Sequence, residues 1–170
     1  MPSFPAVLAA YQDLPTRVLS LMLSTVSDTG QPQASYAPYV IDDAYQIYIF
    51  TSGLSAHTAN LQTTGLASIL LIEDEADAPQ VFARQRITYD CQARLLPRDT
   101  ALWDAIADRF ERRFGEITAM LRSLDDFQIF CLSPQAGRFV MGFGAAYQVD
   151  ANDLSQLVSP PQTGPDSASV

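Results

Sequence analysis

Between residues 18 and 52 three strand-like segments follow one another with almost no chain to spare, and nothing else in the sequence limits the fold as strongly. VLSLMLSTV alternates Leu19, Leu21 and Leu23 with Ser20, Met22 and Ser24, the period of two that a half-buried strand requires. SDTGQP then supplies Asp, Gly and Pro for a turn. QASYAPYVI reads as a second strand, Asp42-Asp43 as a second turn and YQIYIFTS as a third strand. Strands joined so briefly run antiparallel, because a parallel return needs a dozen or more connecting residues.

The remaining segments extend the same design. ASILLI is almost wholly apolar and predicts a central strand; VFARQRITYDCQARLL predicts a long one after the acidic loop EDEADAP; FQIFCLSP and GRFVMGF close the set. Helical patterns fall at PAVLAAYQDL (ended before Pro15), at SAHTANLQTT with Leu61 as core anchor, and at ALWDAIADRF. This last segment places Leu102, Ile106 and Phe110 on one face, with Asp99 or Thr100 as cap. ITAMLRSL spaces Ile117, Met120, Leu121 and Leu124 for another helical turn or two. The expectation is an α+β domain: an antiparallel six- to seven-stranded split β-barrel with two to three peripheral helices, since closure disposes of sheet edges. Residues 1–150 form that domain, and residues 151–170, rich in Pro, Ser and Gly, form a flexible tail.

Charge narrows the partners. A formal net charge of −9 repels phosphate backbones and anionic headgroups, so neither nucleic acid nor a membrane surface is an expected partner. No apolar run approaches the roughly 20 residues of a membrane span, and the N-terminus lacks the basic, then apolar, pattern of a secretory signal. Cys91 and Cys131 match no metal or redox spacing and read as two buried thiols of a cytoplasmic protein. An acidic chain can still hold one anionic cofactor by concentrating donors locally.

TSGLSAHTANL, residues 51–61, has that concentration and contains the chain's single histidine. Ser55 is placed to cap a helix whose first amides lack intrahelical partners and whose dipole is positive at that end, a natural phosphate site. Thr51, Ser52, Ser55 and Thr58 add hydroxyls around it. His57 reads either as a cofactor contact or as an ordinary polar residue of a first turn. Arg84 and Arg86 read either as cofactor contacts or as partners of the acidic loop. Glu73, Asp74, Glu75 and Asp77 fit no calcium-loop pattern and read as a solvated loop.

ASYAPYV, TSGLSAHTANL, LLIEDEADAPQVFARQRIT, RFGEITAMLRSLDDFQIF and GRFVMGFGAAY together resemble the flavin-binding split-barrel superfamily typified by pyridoxamine-phosphate oxidase, and more closely its haem-utilisation (HugZ/HutZ-like) branch. The resemblance implies a homodimer with cofactor clefts between subunits. It also implies FMN held by its phosphate at Ser55 and His57, where the oxidases carry the Ser and Lys of their T-N-x-x-S-R-K stretch; Ala56 replaces the Arg. The oxidases' R-x-x-L-x-K falls on Ser35, Tyr36, Ala37, Pro38, Tyr39 and Val40, so two further cations are missing. Arg86 falls near a position that touches the flavin edge. GFGAAYQV lacks the Arg and His of the oxidases' R-L-H segment, which argues against pyridoxamine-phosphate oxidation.

FMN is thus the first cofactor expectation, with an oxidoreductase-type role, Ser35, Tyr36, Thr51, Ser52, Ser55, His57, Thr58 and Arg86 as binding residues and no metal. Haem, bound or degraded in the same intersubunit cleft, is the alternative; no histidine follows His57, so an axial ligand would be His57, a tyrosine or nothing from the chain. A cofactor-free binding domain is the third reading. No residue stands out as a general acid or base.

Overall fold

The computed structural model describes residues 2–158. Seven antiparallel strands are hydrogen-bonded in the order β3-β2-β1-β4-β5-β6-β7, and β3 also pairs with β6. The first six therefore close into a barrel and β7 lies outside the closure. The strands are β1 (Ser20–Val26), β2 (Pro32–Ile41), β3 (Ile47–Ser52), β4 (Leu66–Ile72), β5 (Arg86–Leu95), β6 (Phe127–Gly142) and β7 (Ala145–Gln148). Four helices, rather than two or three, accompany them: α1 (Phe4–Arg17), α2 (Ala56–Thr64), α3 (Ala101–Phe114) and α4 (Glu116–Arg122). No helix among the described residues is long and apolar enough to cross a membrane.

The period of two sets the barrel's inside. Leu21 and Leu23 of β1, Ala37 and Tyr39 of β2, Ile69 and Leu71 of β4, and Ile87 and Tyr89 of β5 point inward into one core. Each such fully buried aliphatic side chain contributes about 1.5–3 kcal/mol relative to exposure. α1 plugs one end with Val7, Tyr11 and Leu14, and α2 plugs the other with Leu61. The second core lies outside the barrel, where Trp103, Ile106 and Phe110 of α3 pack on Val40, Tyr48, Phe50, Ile129 and Cys131 of β2, β3 and β6. Cys91 and Cys131 are free and buried, and burial pushes the Cys91 thiol up to about 12.

Several expectations change for local reasons. α1 runs past Pro15 to Arg17, and its last turn is also held from outside the helix, the Pro15 carbonyl accepting from the Tyr39 hydroxyl at 2.8 Å. FQIFCLSP and GRFVMGF are one strand, not two. Cys91 faces Pro134 while Asp90 faces Ala136, so Gln135 is an extra residue and the break is absorbed as a bulge. Gly137 follows because a Cβ there would stand 2.6 Å from the Tyr89 ring and 2.8 Å from Val149. The long fifth strand begins only at Arg86, after a single 3-10 turn over Val81–Ala83. Leu102 is exposed and Trp103 takes the buried face of α3, with Thr100 as the cap, its hydroxyl accepting from the Trp103 amide at 3.2 Å.

Residues 151–158 do not begin as a loose tail. Val149 bridges Leu157, Leu157 is buried in the barrel core, and the Leu154 carbonyl accepts from the Tyr11 hydroxyl. The rest of the expected tail, 159–170, lies outside the described residues.

Candidate functional site

The turn between β3 and α2 is built by its own hydroxyls. Thr51 and Thr58 are both buried, their oxygens 3.0 Å apart, and the Thr58 hydroxyl donates to the Ser52 carbonyl at 2.7 Å. They join α2 to the end of β3 and present nothing to a ligand. Ser52 donates to the Asp126 carboxylate at 2.8 Å and accepts from the Leu54 amide at 3.2 Å. The Gly53 amide donates to the Asp126 carbonyl at 2.6 Å, and a Cβ on Gly53 would stand 3.0 Å from that oxygen.

Asp126 is thus part of this site, and reading the chain in sequence did not find it. It lies 74 residues from Ser52, and its only signal was an Asp125-Asp126 pair just before a strand.

Ser55 holds the cap position with an extended backbone (φ −81°, ψ 138°), but its hydroxyl caps no amide. Its carbonyl accepts from the amides of Thr58 and Ala59. The Ser55 hydroxyl and the amides of Ala56 and His57 meet no partner among the described residues, so donor capacity remains at this helix start. His57 is half-buried, and desolvation lowers its pKa from the usual imidazole value, which favours the neutral ring at pH 7.

The other sequence candidates do not converge here within one chain. Ser35 points toward the barrel interior and donates to the Leu23 carbonyl at 3.3 Å; Tyr36, its neighbour, is exposed on the outer wall. Arg86 pairs in register with Ile72 and Val140, near the α1 end of the barrel, whereas Gly65 at the end of α2 receives the Ala93 amide. Six or seven strand residues separate these points on β5, roughly 20 Å at about 3.3 Å each. Arg84 belongs to the acidic loop: it donates to the Glu73 carbonyl and to Glu75 at 3.0 Å. Glu73 is buried and accepts from the Gln85 amide. Arg86, by contrast, meets no carboxylate among the described residues and donates only to the Arg84 carbonyl.

The sequence profile of pyridoxamine 5'-phosphate oxidase matches residues 7–141, most of the chain. The chain belongs to that family. Within the pyridoxamine 5'-phosphate oxidase family it falls in the haem-utilisation branch. It is 42% identical over 139 residues to the heme oxygenase HutZ of Vibrio cholerae, covering 82% of this chain and 78% of HutZ. The crystal structure of HutZ, there described as a heme storage protein, superposes with a TM-score of 0.74 at 38% identity, covering 80% of this chain and 95% of that one. Campylobacter jejuni ChuZ gives a TM-score of 0.81 at 31% identity, over 90% of this chain and 63% of ChuZ. At the start of α2 in this chain residue 56 is an alanine, and the Asp126 carboxylate stands beside Ser52.

Proposed function

We propose that this family member binds haem, in a cleft completed by a second copy of the chain. The observation that carries the reading is the state of the α2 start: a neutral, half-buried His57 beside few remaining donors, next to the Asp126 carboxylate. A phosphate dianion needs charge-assisted donors, and most hydroxyls expected to serve it are spent inside the turn. Haem asks for something different: one neutral nitrogen or a phenol for iron and a few donors for its carboxylates. His57 fits the first role, and the Ser55 hydroxyl with the amides of Ala56 and His57 fits the second. A bound haem would supply a redox-active iron; the chain supplies ligand, position and donors. That HutZ is described as a heme oxygenase supports the same reading.

The second copy is supported by the barrel's uncovered wall. α3 covers the outer side of β3 and its neighbours, but among the described residues no helix covers the outward side of β1 and β4. There Tyr36, Met22, Leu70 and Thr88 form one uncharged row across four strands. Met22 is 50% and Tyr36 65% exposed, and Leu19 and Leu66 flank them. On a molecule of net charge −9, an uncharged row such as this, with charges only at its border (Arg17, Arg84 and the acidic loop), is where a second acidic copy meets least repulsion. Such a dimer also supplies Arg86 from outside its own chain.

FMN is the second reading, favoured by the open amides at a helix start of the kind that accepts phosphate. Parallel titrations of the purified full chain with haemin and with FMN separate the two. The expected result is a saturating Soret band with haemin that shifts and weakens in His57→Ala, and little quenching of flavin fluorescence. Flavin uptake without haemin uptake overturns the proposal, as does a haemin spectrum indifferent to His57.

A further inference from the structure

α3 presents three guanidinium groups, Arg109, Arg112 and Arg113, to one pocket of about 330 Å³ whose floor is Val40 and Ile41 of β2. They occupy positions i, i+3 and i+4, one helix face, where like charges repel. The chain has ten cationic residues, all arginine, against 19 carboxylates. One cation in a last turn already answers the negative end of a helix dipole. Three on one face concentrate positive charge in an acidic molecule, offset in part by Asp43 at Arg109 and by Asp108 and Glu111 beside Arg112.

Asp108, one turn before Arg112, is held by Arg122 at 2.7 Å, and Asp104 by the same guanidinium at 2.5 Å. Arg112 is exposed and has no hydrogen-bond or ion-pair partner among the described residues. Arg109 reaches only Asp43, at 3.5 Å, whose side chain is 98% exposed; its other nitrogen donates to the Ile41 carbonyl at 3.2 Å. Arg113 is fixed by the carbonyls of Val18 and Pro15, at 2.8 and 3.2 Å, and lies 5.1 Å over the Tyr39 ring. Its Nε is buried without an acceptor, the kind of orphaned donor that bound water or an ion satisfies. Two guanidinium groups are thus anchored by main-chain oxygens, and the third is free to swing over the pocket.

We propose that this pocket binds a small oxyanion carrying at least two negative charges, of the phosphate or dicarboxylate class. Planar guanidinium groups pair with two oxygens at a time, and this shallow, open depression brings three of them together over a small apolar floor. An anion there also removes the repulsion among the three arginines. The pocket lies at the α1 end of the barrel, away from α2, so it stands or falls independently of haem binding.

The test is thermal denaturation of the full chain with inorganic phosphate and, separately, succinate, each against sodium chloride of matched ionic strength. A saturating rise in Tm with one probe is expected, and the responding probe identifies the class. Arg112→Gln should weaken that response about ten-fold, the loss of one charge-assisted donor, while Ser55→Ala leaves it unchanged. Because exposed Arg112 makes no hydrogen bond or ion pair among the described residues, the variant should keep the wild-type circular dichroism, and relief of repulsion should leave its ligand-free Tm equal or higher. A rise reproduced by sodium chloride, a response to neither probe, or a response in Arg112→Gln equal to wild type overturns the site. So does a response lost in Ser55→Ala, which would place the anion at α2.

Discussion

The phenolic oxygens of Tyr11 and Tyr89 stand 2.6 Å apart inside the barrel, and the direction of their hydrogen bond is determined by a third atom. Tyr11 also lies 2.5 Å from the Leu154 carbonyl, which can only accept. The Tyr11 proton therefore goes to Leu154, and Tyr89 donates to Tyr11. Burial pushes both phenols above their usual range, so both protons stay in place. Tyr89→Phe removes the donor and leaves Tyr11 still bonded to Leu154, at a cost of about 1 kcal/mol. Tyr11→Phe strands a buried Tyr89 hydroxyl and releases the 150–157 segment, at a cost of about 2–3 kcal/mol. Urea denaturation ranks them, and a larger loss for Tyr89→Phe would reverse the assigned direction.

The Thr51–Thr58 pair makes a similar case at the head of α2. Thr58 is fully buried, and its hydroxyl is aimed to donate to the Ser52 carbonyl at 2.7 Å and to the Thr51 hydroxyl oxygen at 3.0 Å. Thr58→Val keeps the shape but leaves a carbonyl and a hydroxyl without partners, costing about 1–3 kcal/mol. Ser55→Ala, whose hydroxyl caps nothing, should cost under about 0.5 kcal/mol. Equal losses for the two variants in chemical denaturation would mean that Ser55 does cap the helix in solution.

Those two threonines also show where sequence reading reached its limit. The antiparallel barrel strands and Leu61 as a core anchor were legible because a period of two and short turns leave few alternatives, although β6 reads as two strands and β7 as none. The helix faces were less so. Leu102 and Trp103 sit one position apart, and which of them is buried depends on how α3 lies on Phe50, 53 residues before Trp103. Ile117, Met120 and Leu124 have helical spacing yet remain exposed, because α4 is only seven residues long and buries Thr118 instead. At the site, residue type was legible but availability was not. A hydroxyl at position 51 or 58 looks like a ligand donor until tertiary packing aims it at its neighbour, and Asp126 reaches Ser52 only once β3 and β6 have paired.

His57 gives a pH dependence with a definite sign. Its folded pKa lies below the unfolded value of about 6.5, so the unfolded chain binds more protons once the pH drops below about 6.5. Its contribution is therefore constant above that pH and is lost as the pH falls toward the folded pKa. The stability difference between wild type and His57→Gln should be flat at pH 7–9 and decline for wild type in acid. Haemin uptake should fall over the same window, because only the neutral imidazole binds iron. A stability difference that grows toward alkaline pH would contradict the burial of this ring.

Met22 and Leu70 are register partners on the outer wall, Met22 half exposed, at the edge of a depression bordered by Arg17, Arg84 and the acidic loop. A charge introduced there costs the isolated chain little, since Met22 is half exposed. In a dimer joined through this wall it is buried twice, near its own symmetry copy, without a counter-ion. Met22→Asp should therefore leave the circular dichroism and Tm of the single chain close to wild type while weakening self-association at least about 100-fold, the consequence of several kcal/mol of uncompensated burial. Sedimentation velocity across a concentration series reads this directly. Haemin affinity should drop in parallel if Arg86 of the second copy completes the cleft. A dimer that persists in Met22→Asp would place the contact on another surface, with the exposed apolar residues of α4 the next face to test.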